Sequence, residues 1–250
     1  MITMSGHSKW NNIKRKKEKT DAAKAKIFTK IGREISVIVK NGGANPNENS
    51  KLKDAIAKAK AANVPNDNIE RIIKKAAGDG EANNYEELIY EGYGPCGVAV
   101  VVETLTDNRN RTAGEMRHYF DKCGGNLGQS GSVMFMFDRN GIIRIESEGL
   151  DEDTVMEDAL DAGADDFNYD GDVFEISTDP NTLGGVRDAL EEKGYSFISA
   201  EVEYIPKTMT AIDDEETSLK MEKLIDMLEE NDDVQAVWHN WDMPAEAEEE

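Results

Sequence analysis

Three histidines, His7, His118 and His239, and two cysteines, Cys96 and Cys123, have the widest chemical repertoire in this 250-residue chain. None stands at a metal-ligand, catalytic-triad or CxxC spacing, so zinc coordination, nucleophilic catalysis and a disulfide framework all lack the groups they need. The expectation is a non-enzyme without metal, cofactor or small-molecule substrate, and a surface or half-buried position for His118 beside Tyr119. Two motif matches fail on context. Gly92–Gly97 satisfies GxGxxG, but a Val-rich strand follows where the dinucleotide mechanism needs a helix N-terminus, and Pro95 removes an amide. A β-turn is expected there. Asp166–Gly171 matches the first half of a calcium loop, yet its twelfth position is Ser177 where a bidentate Glu is required. That segment reads as an Asp-Gly hairpin turn on a solvated acidic face.

The chemistry that stands out is cationic. Lys14, Arg15, Lys16 and Lys17 form an unbroken run inside Gly6–Lys26, which also holds His7, Lys9, Trp10 and Lys19. Alone, such a run reads as a solvated arm. The charge distribution changes the reading. Residues 1–80 carry 18 Lys and Arg against 8 Asp and Glu, residues 81–250 carry 11 against 43, and the net charge is −22. A basic head on an acidic body meets a polyanion head-first while the body is repelled. Lys26, Lys30 and Arg33 extend the cations as a stripe on a predicted helix. In the acidic half, Arg109, Arg111 and Arg117 form the main basic cluster near a helix start, where free backbone N–H groups favour an anion. Those arginines equally fit a capping loop paired with neighbouring Asp or Glu. Trp10 and His7 fit stacking on an unpaired base, and Trp10 also fits a staple onto the first helix.

The elements that would carry these groups follow from periodicity. Ile27, Ile31, Ile35 and Ile38 give a helix over about 21–40 one apolar face, ended by Gly42–Gly43. A second helix runs to about Ala62, and a third is expected to open on an Asp67/Glu70 capping box. Val98–Thr104 reads as a central strand, Thr112 and Glu115 as a helix start, and Gly124–Ser132 as a flexible connection. Arg139–Gly141 reads as a hairpin turn, which makes residues 133–205 ββαββαβ, a ferredoxin-like sandwich with one extra strand. The α+β division is therefore a basic arm (1–19), a helical domain (20–80), a discontinuous α/β sandwich (81–132 plus 206–241) and a ferredoxin-like domain (133–205) inserted into it, with an acidic tail (242–250). The N-terminus lacks a signal-type apolar core and the longest apolar stretches are strand-sized. A soluble, cytoplasmic protein is expected.

GHSKWNNIK, KIFTKIGREI, NGGANPNENSKL, NVPNDNIERIIKKAAG, YEGYGPCGVAVVVETLTDNRNRT and GGNLGQSGSVMFMFD resemble, in order, the motifs of the YebC/PmpR family, whose relatives include a mitochondrial translational activator of cytochrome c oxidase subunit I. The likeness runs from Gly6 to about Trp241. The run Lys14–Lys17 departs from the histidine many members carry there but keeps its charge sense, Met1–Thr3 precede the usual start near Met4, and the lack of a transit-type segment resembles a bacterial member. The resemblance implies three cytoplasmic domains, one helical and two α/β. It also implies a regulator of gene expression, either a DNA-binding transcriptional regulator or a ribosome-binding translation factor that relieves stalls at proline-rich stretches.

The residues lean modestly to RNA. The three helices show Lys-rich outer faces and few of the Arg, Asn and Gln side chains that read base edges bidentately in DNA. The expected partner is nucleic acid, either ribosomal RNA or DNA, and no membrane. A protein-interaction scaffold is the remaining alternative.

Overall fold

The computed structural model describes residues 21–78 and 85–243, with side chains from residue 25. His7, Lys9, Trp10, the Lys14–Lys17 run, Lys19 and the acidic residues 245–250 lie outside the described residues. In chain order the elements are α1 (Asp21–Gly42), α2 (Ser50–Ala61), α3 (Asn66–Ala77), β1 (Glu86–Tyr93), β2 (Ala99–Thr106), α4 (Arg109–Lys122), β3 (Asn126–Leu127), β4 (Phe137–Glu146), α5 (Glu152–Asp161), β5 (Asp166–Tyr169), β6 (Val173–Thr178), α6 (Leu183–Glu192), β7 (Ser199–Pro206), β8 (Thr210–Ala211), α7 (Glu215–Glu230), β9 (Val234–His239) and β10 (Trp241–Asp242). They form two compact units, one of residues 85–138 with 205–243, the other of residues 21–78 with 139–204.

In the second unit, Ile31, Ile35 and Val39 of α1 share a core with Leu52, Ala55 and Ala59 of α2 and Ile69 of α3. Gly43, at φ +88°, ends α1. Asn49 then joins the two helices. Its Oδ1 accepts the Leu52 N–H at 3.2 Å, capping α2, while its Nδ2 donates to the Gly43 carbonyl at 2.9 Å. Gly42 is required by this approach, since a Cβ there would lie 2.7 Å from Asn49 Nδ2. The expected Asp67/Glu70 capping box is not used. α3 starts directly after Pro65, whose carbonyl accepts the N–H groups of Asn68 and Ile69 at 2.9 and 3.2 Å, and no side chain caps it.

The remaining part of this unit is βαββαβ with sheet order β5-β6-β4-β7, the antiparallel ferredoxin-like arrangement. Ile143, Ile145, Phe174 and Ile176 face Val155 and Ala159 of α5 and Val186 and Leu190 of α6. The opposite face carries Arg144, 1% exposed, which donates to Glu203 at 2.6 and 3.1 Å and to Glu175 at 2.9 Å. Burial opposes its charge, and the two carboxylates more than offset that, so the guanidinium stays ionised.

The hairpin expected at Arg139–Gly141 is absent, because β4 runs through it as one strand. Gly141 pairs with Thr178, and a Cβ on it would lie 2.3 Å from Thr178 Oγ1 and 2.9 Å from Leu183 Cβ. The glycine serves a close approach of β4 to β6 and α6, so no extra strand exists. The Asp-Gly turn is as expected: Asp170 Oδ1 accepts the Asp172 and Val173 N–H groups between β5 and β6.

In the first unit the sheet order is β3-β1-β2-β9, with α4 and α7 over one face. Val100 and Val102 of β2, Met116 and Phe120 of α4 and Met221, Leu224 and Leu228 of α7 form its core. The Gly92–Gly97 segment is the end of β1 and a tight turn closed by a Gly94 N–H bond to the Val98 carbonyl, as expected. α4 begins at Arg109, a turn before the expected Thr112, because Asn108 caps it through the Arg111 N–H at 3.1 Å.

The Gly124–Ser132 connection is not free. Glu91, 5% exposed on the sheet face away from the helices, accepts the N–H of Gly131 at 2.6 Å on one carboxylate oxygen. Its other oxygen accepts those of Val133 and Met134 at 2.9 and 2.8 Å. Glycine composition suggests mobility, but a buried carboxylate holding three amides removes it.

Two measurements check this account. Gly141→Val is expected to cost roughly 1–3 kcal/mol in urea unfolding, the penalty of overpacking a closed site. His239 is buried, and its imidazole pKa is pushed down to about 4, chiefly by burial against a weaker opposing pull from Glu229. The unfolded chain binds that proton from about pH 6.5, so the stabilisation is complete above 6.5 and is lost as pH falls toward 4. His239→Gln should flatten the unfolding midpoint against pH within this window relative to the parent.

Candidate nucleic-acid interface

α1 presents Lys26, Lys30 and Arg33 within about a 60° arc of its surface, on the side away from buried Ile31 and Ile35. Lys26 is exposed and the other two are half-buried. A helix whose apolar stripe is committed to a core has no choice about where its cations point, so the spacing alone sets this array.

Two lysines of α2 are in ion pairs. Lys53 pairs with Asp188 of α6. Lys58 lies 3.1 Å from Glu34 and 3.5 Å from Glu201 of β7. Arg187, 3% exposed, bonds Asp54 at 2.7 Å and Asp188 at 2.8 Å. Burial disfavours ionised Asp188, yet Lys53 and Arg187 hold its carboxyl below the usual range. These charges join the helical bundle to the ferredoxin-like sandwich within one unit. The sequence shows α2 as a Lys-rich face and gives no sign that Asp188, Arg187 and Glu201, more than a hundred residues on, are among its partners.

The three arginines of α4 are not brought together. Arg111 Nη2 donates to Asp233 at 2.6 Å and to Asp107 at 3.0 Å. Asp233 also accepts from Thr106 and Thr112 at 3.1 and 2.9 Å, so this carboxylate ties the end of β2, the first turn of α4 and the start of β9. Burial opposes its charge, but the bonds from Arg111, Thr112 and Thr106 bring its pKa below the ordinary value. Arg109 is exposed, and its carbonyl receives the Tyr90 hydroxyl at 3.5 Å. Arg117 is exposed two turns on, about 12 Å along the axis. Arg111 thus follows the capping-loop alternative, while Arg109 and Arg117 remain on the surface. His118 is exposed as expected.

The exposed cations outside the expected set include Arg71, Lys74 and Lys75 of α3, the last two in its final turn, where the helix dipole favours them. Their outward positions follow from the inward face of Ile69, Ile72 and Ile73. Among the described residues no group of three His, Cys, Asp or Glu could hold a metal, and no helix is long and apolar enough to cross a membrane.

Residues 8–79 match the model of the TACO1/YebC protein N-terminal domain, and residues 85–241 match that of the TACO1/YebC second and third domain. A "probable transcriptional regulatory protein" of Acetivibrio thermocellus is 62% identical over 239 residues, covering 95% of this chain and 99% of that one. One of the same title from Finegoldia magna is 58% identical over 239 residues, covering 96% and 99%. The crystal structure of a conserved hypothetical protein from Aquifex aeolicus superposes with a TM-score of 0.82 at 46% identity, covering 93% of this chain and 96% of that one. The helical bundle, the two four-stranded sheets and both domain models span nearly the whole chain, which belongs to the TACO1/YebC family.

Proposed function

We propose that this protein is a non-enzymatic regulator of gene expression that binds nucleic acid through its basic N-terminal part, with RNA, ribosomal RNA included, as the target. The observation that carries this reading is the α1 array of Lys26, Lys30 and Arg33, displayed opposite a fully committed apolar face and continuous in sequence with the Lys14–Lys17 run. Cations at helical spacing neutralise backbone phosphates and release counterions, which gives affinity without base reading. The acidic body keeps the rest of the molecule away from the polyanion and so orients binding. Relief of ribosome stalls is the translational form of this activity.

A second reading, a DNA-binding transcriptional regulator, is favoured by the names of the relatives. It needs a helix that presents Arg, Asn or Gln to the major groove. The exposed cations of α1–α3 are mainly lysines, which suit phosphate positioning.

Binding of the full chain to a ribosomal RNA fragment and to a DNA duplex of equal length, each across a salt series, separates the readings. Lys26→Ala/Lys30→Ala/Arg33→Ala should weaken RNA binding and lower the log–log salt slope by about 2–3, at roughly 0.7–0.9 per phosphate contact. An unchanged slope would remove α1 from the interface, and tighter binding to the duplex would return the case to DNA. Arg109 and Arg111 should part company. Arg109→Ala is expected to leave stability unchanged. Arg111→Ala should cost roughly 1–3 kcal/mol in chemical denaturation, because it strips a buried carboxylate of its cation.

A further inference from the structure

We propose that Phe135 is a stacking platform for an unpaired nucleobase, held ready by the loop that Glu91 pins. The inference rests on the nucleic-acid reading above and adds a second contact, in the middle of the chain, of a kind that the basic array cannot make.

Phe135 is 67% exposed, the most exposed of the large hydrophobic side chains among the described residues. It is not on a loose segment. The peptide groups on its N-terminal side are fixed through the Val133 and Met134 N–H bonds to Glu91. On its C-terminal side, the Met136 N–H bonds the Val133 carbonyl at 2.9 Å, and the Lys207 N–H bonds the Met136 carbonyl at 2.9 Å. Lys207 Nζ donates to the Phe135 carbonyl itself at 3.2 Å. Tyr93 adds a hydroxyl bond to the Ser132 carbonyl at 3.0 Å. An aromatic ring displayed from a backbone tied at this many points loses little conformational freedom on binding, which is how pre-organised contacts gain affinity. Left in water, the same ring is an uncompensated apolar surface.

The surroundings select the ligand. Residues 81–250 hold 43 acidic residues, yet the stretch from Cys123 to Phe137 contains no Asp, Glu, Lys or Arg. Within a body that repels phosphate, this loop is a charge-free window, and Lys207 supplies a cation beside it while also pairing with Asp138 at 3.1 Å. The exposed polar side chains of the loop are Ser130 and two amides, Asn126 and Gln129, and the amides donate to and accept from base edges. Gly128 and Gly131, which bracket Gln129, both bond Glu91, so the amide and the ring leave from points anchored on one residue. Aromatic stacking with amides at the edge is the chemistry by which proteins take unpaired bases. A duplex, whose bases are already stacked, has no face to offer the ring.

The test uses the full chain and two probes, a 20-nucleotide single-stranded RNA and a fully paired RNA duplex of the same length, read by fluorescence anisotropy. Phe135→Ala should weaken single-strand binding roughly 5- to 100-fold and leave the duplex affinity and the salt slope unchanged. Phe135→Trp should retain the affinity, and its added indole emission should be quenched as the single strand saturates. Single-strand binding by Phe135→Ala equal to the parent's, while the α1 triple variant is impaired, overturns this proposal alone. Quenching of Phe135→Trp by an apolar peptide and not by the single strand also overturns it, making the loop a peptide contact. A parent that binds neither RNA overturns both this proposal and the function it rests on.

Discussion

Strand β2 is apolar on both faces and must be hydrogen-bonded along both edges. Val98 to Val102 are fully buried, so an unpaired edge would leave a row of desolvated amides and carbonyls beside an adhesive apolar surface. One edge is satisfied locally by β1 through a tight turn. The other is satisfied by β9, with Val101 opposite Trp238. That single pairing sets the course of the chain. It brings α7 over the same sheet face as α4, and it delivers Asp233 to the corner where Thr106, Arg111 and Thr112 wait for a carboxylate. On the other face of the same sheet, Glu91 sits opposite Val101 and holds the loop that displays Phe135.

Charge is organised around this frame in two ways. Of the eleven Lys and Arg in residues 81–250, six (Arg111, Arg144, Arg187, Lys193, Lys207 and Lys220) are in ion pairs with carboxylates. The body therefore presents even less positive charge to an approaching polyanion than its composition implies. The cations of α1 point away from its core, whereas Lys53 and Lys58 of α2 are drawn into the junction with α6 and β7. Part of the charge of this basic helical bundle thus holds the unit together. Arg144 and Arg187 carry buried charge only because carboxylates surround them, and loss of either partner set would leave an uncompensated ion.

Much of this was legible from residue types. Isoleucines at spacings of three and four placed α1 and its cationic stripe, and the Asp-Gly turn after Tyr169 was recognisable from its φ-permissive glycine. Local signals failed where a glycine or a cap could serve two purposes. Gly141 looks like a turn residue and is a close-approach residue. Thr112 looks like a cap, but its hydroxyl bonds inward to Asp233 and Asn108 caps instead. Gly124–Ser132 looks mobile and is pinned by a carboxylate more than thirty residues earlier.

By itself the sequence determined the periodic elements, the basic head on an acidic body and the absence of a catalytic spacing, because periodicity and charge are properties of neighbours along the chain. Only the tertiary structure decided which cations are spent on carboxylates, which face of β2 receives Glu91, and that an uncharged, glycine-rich stretch holds an aromatic ring in water. Those outcomes depend on which distant side chains arrive within hydrogen-bonding distance of one another, and no local pattern encodes that.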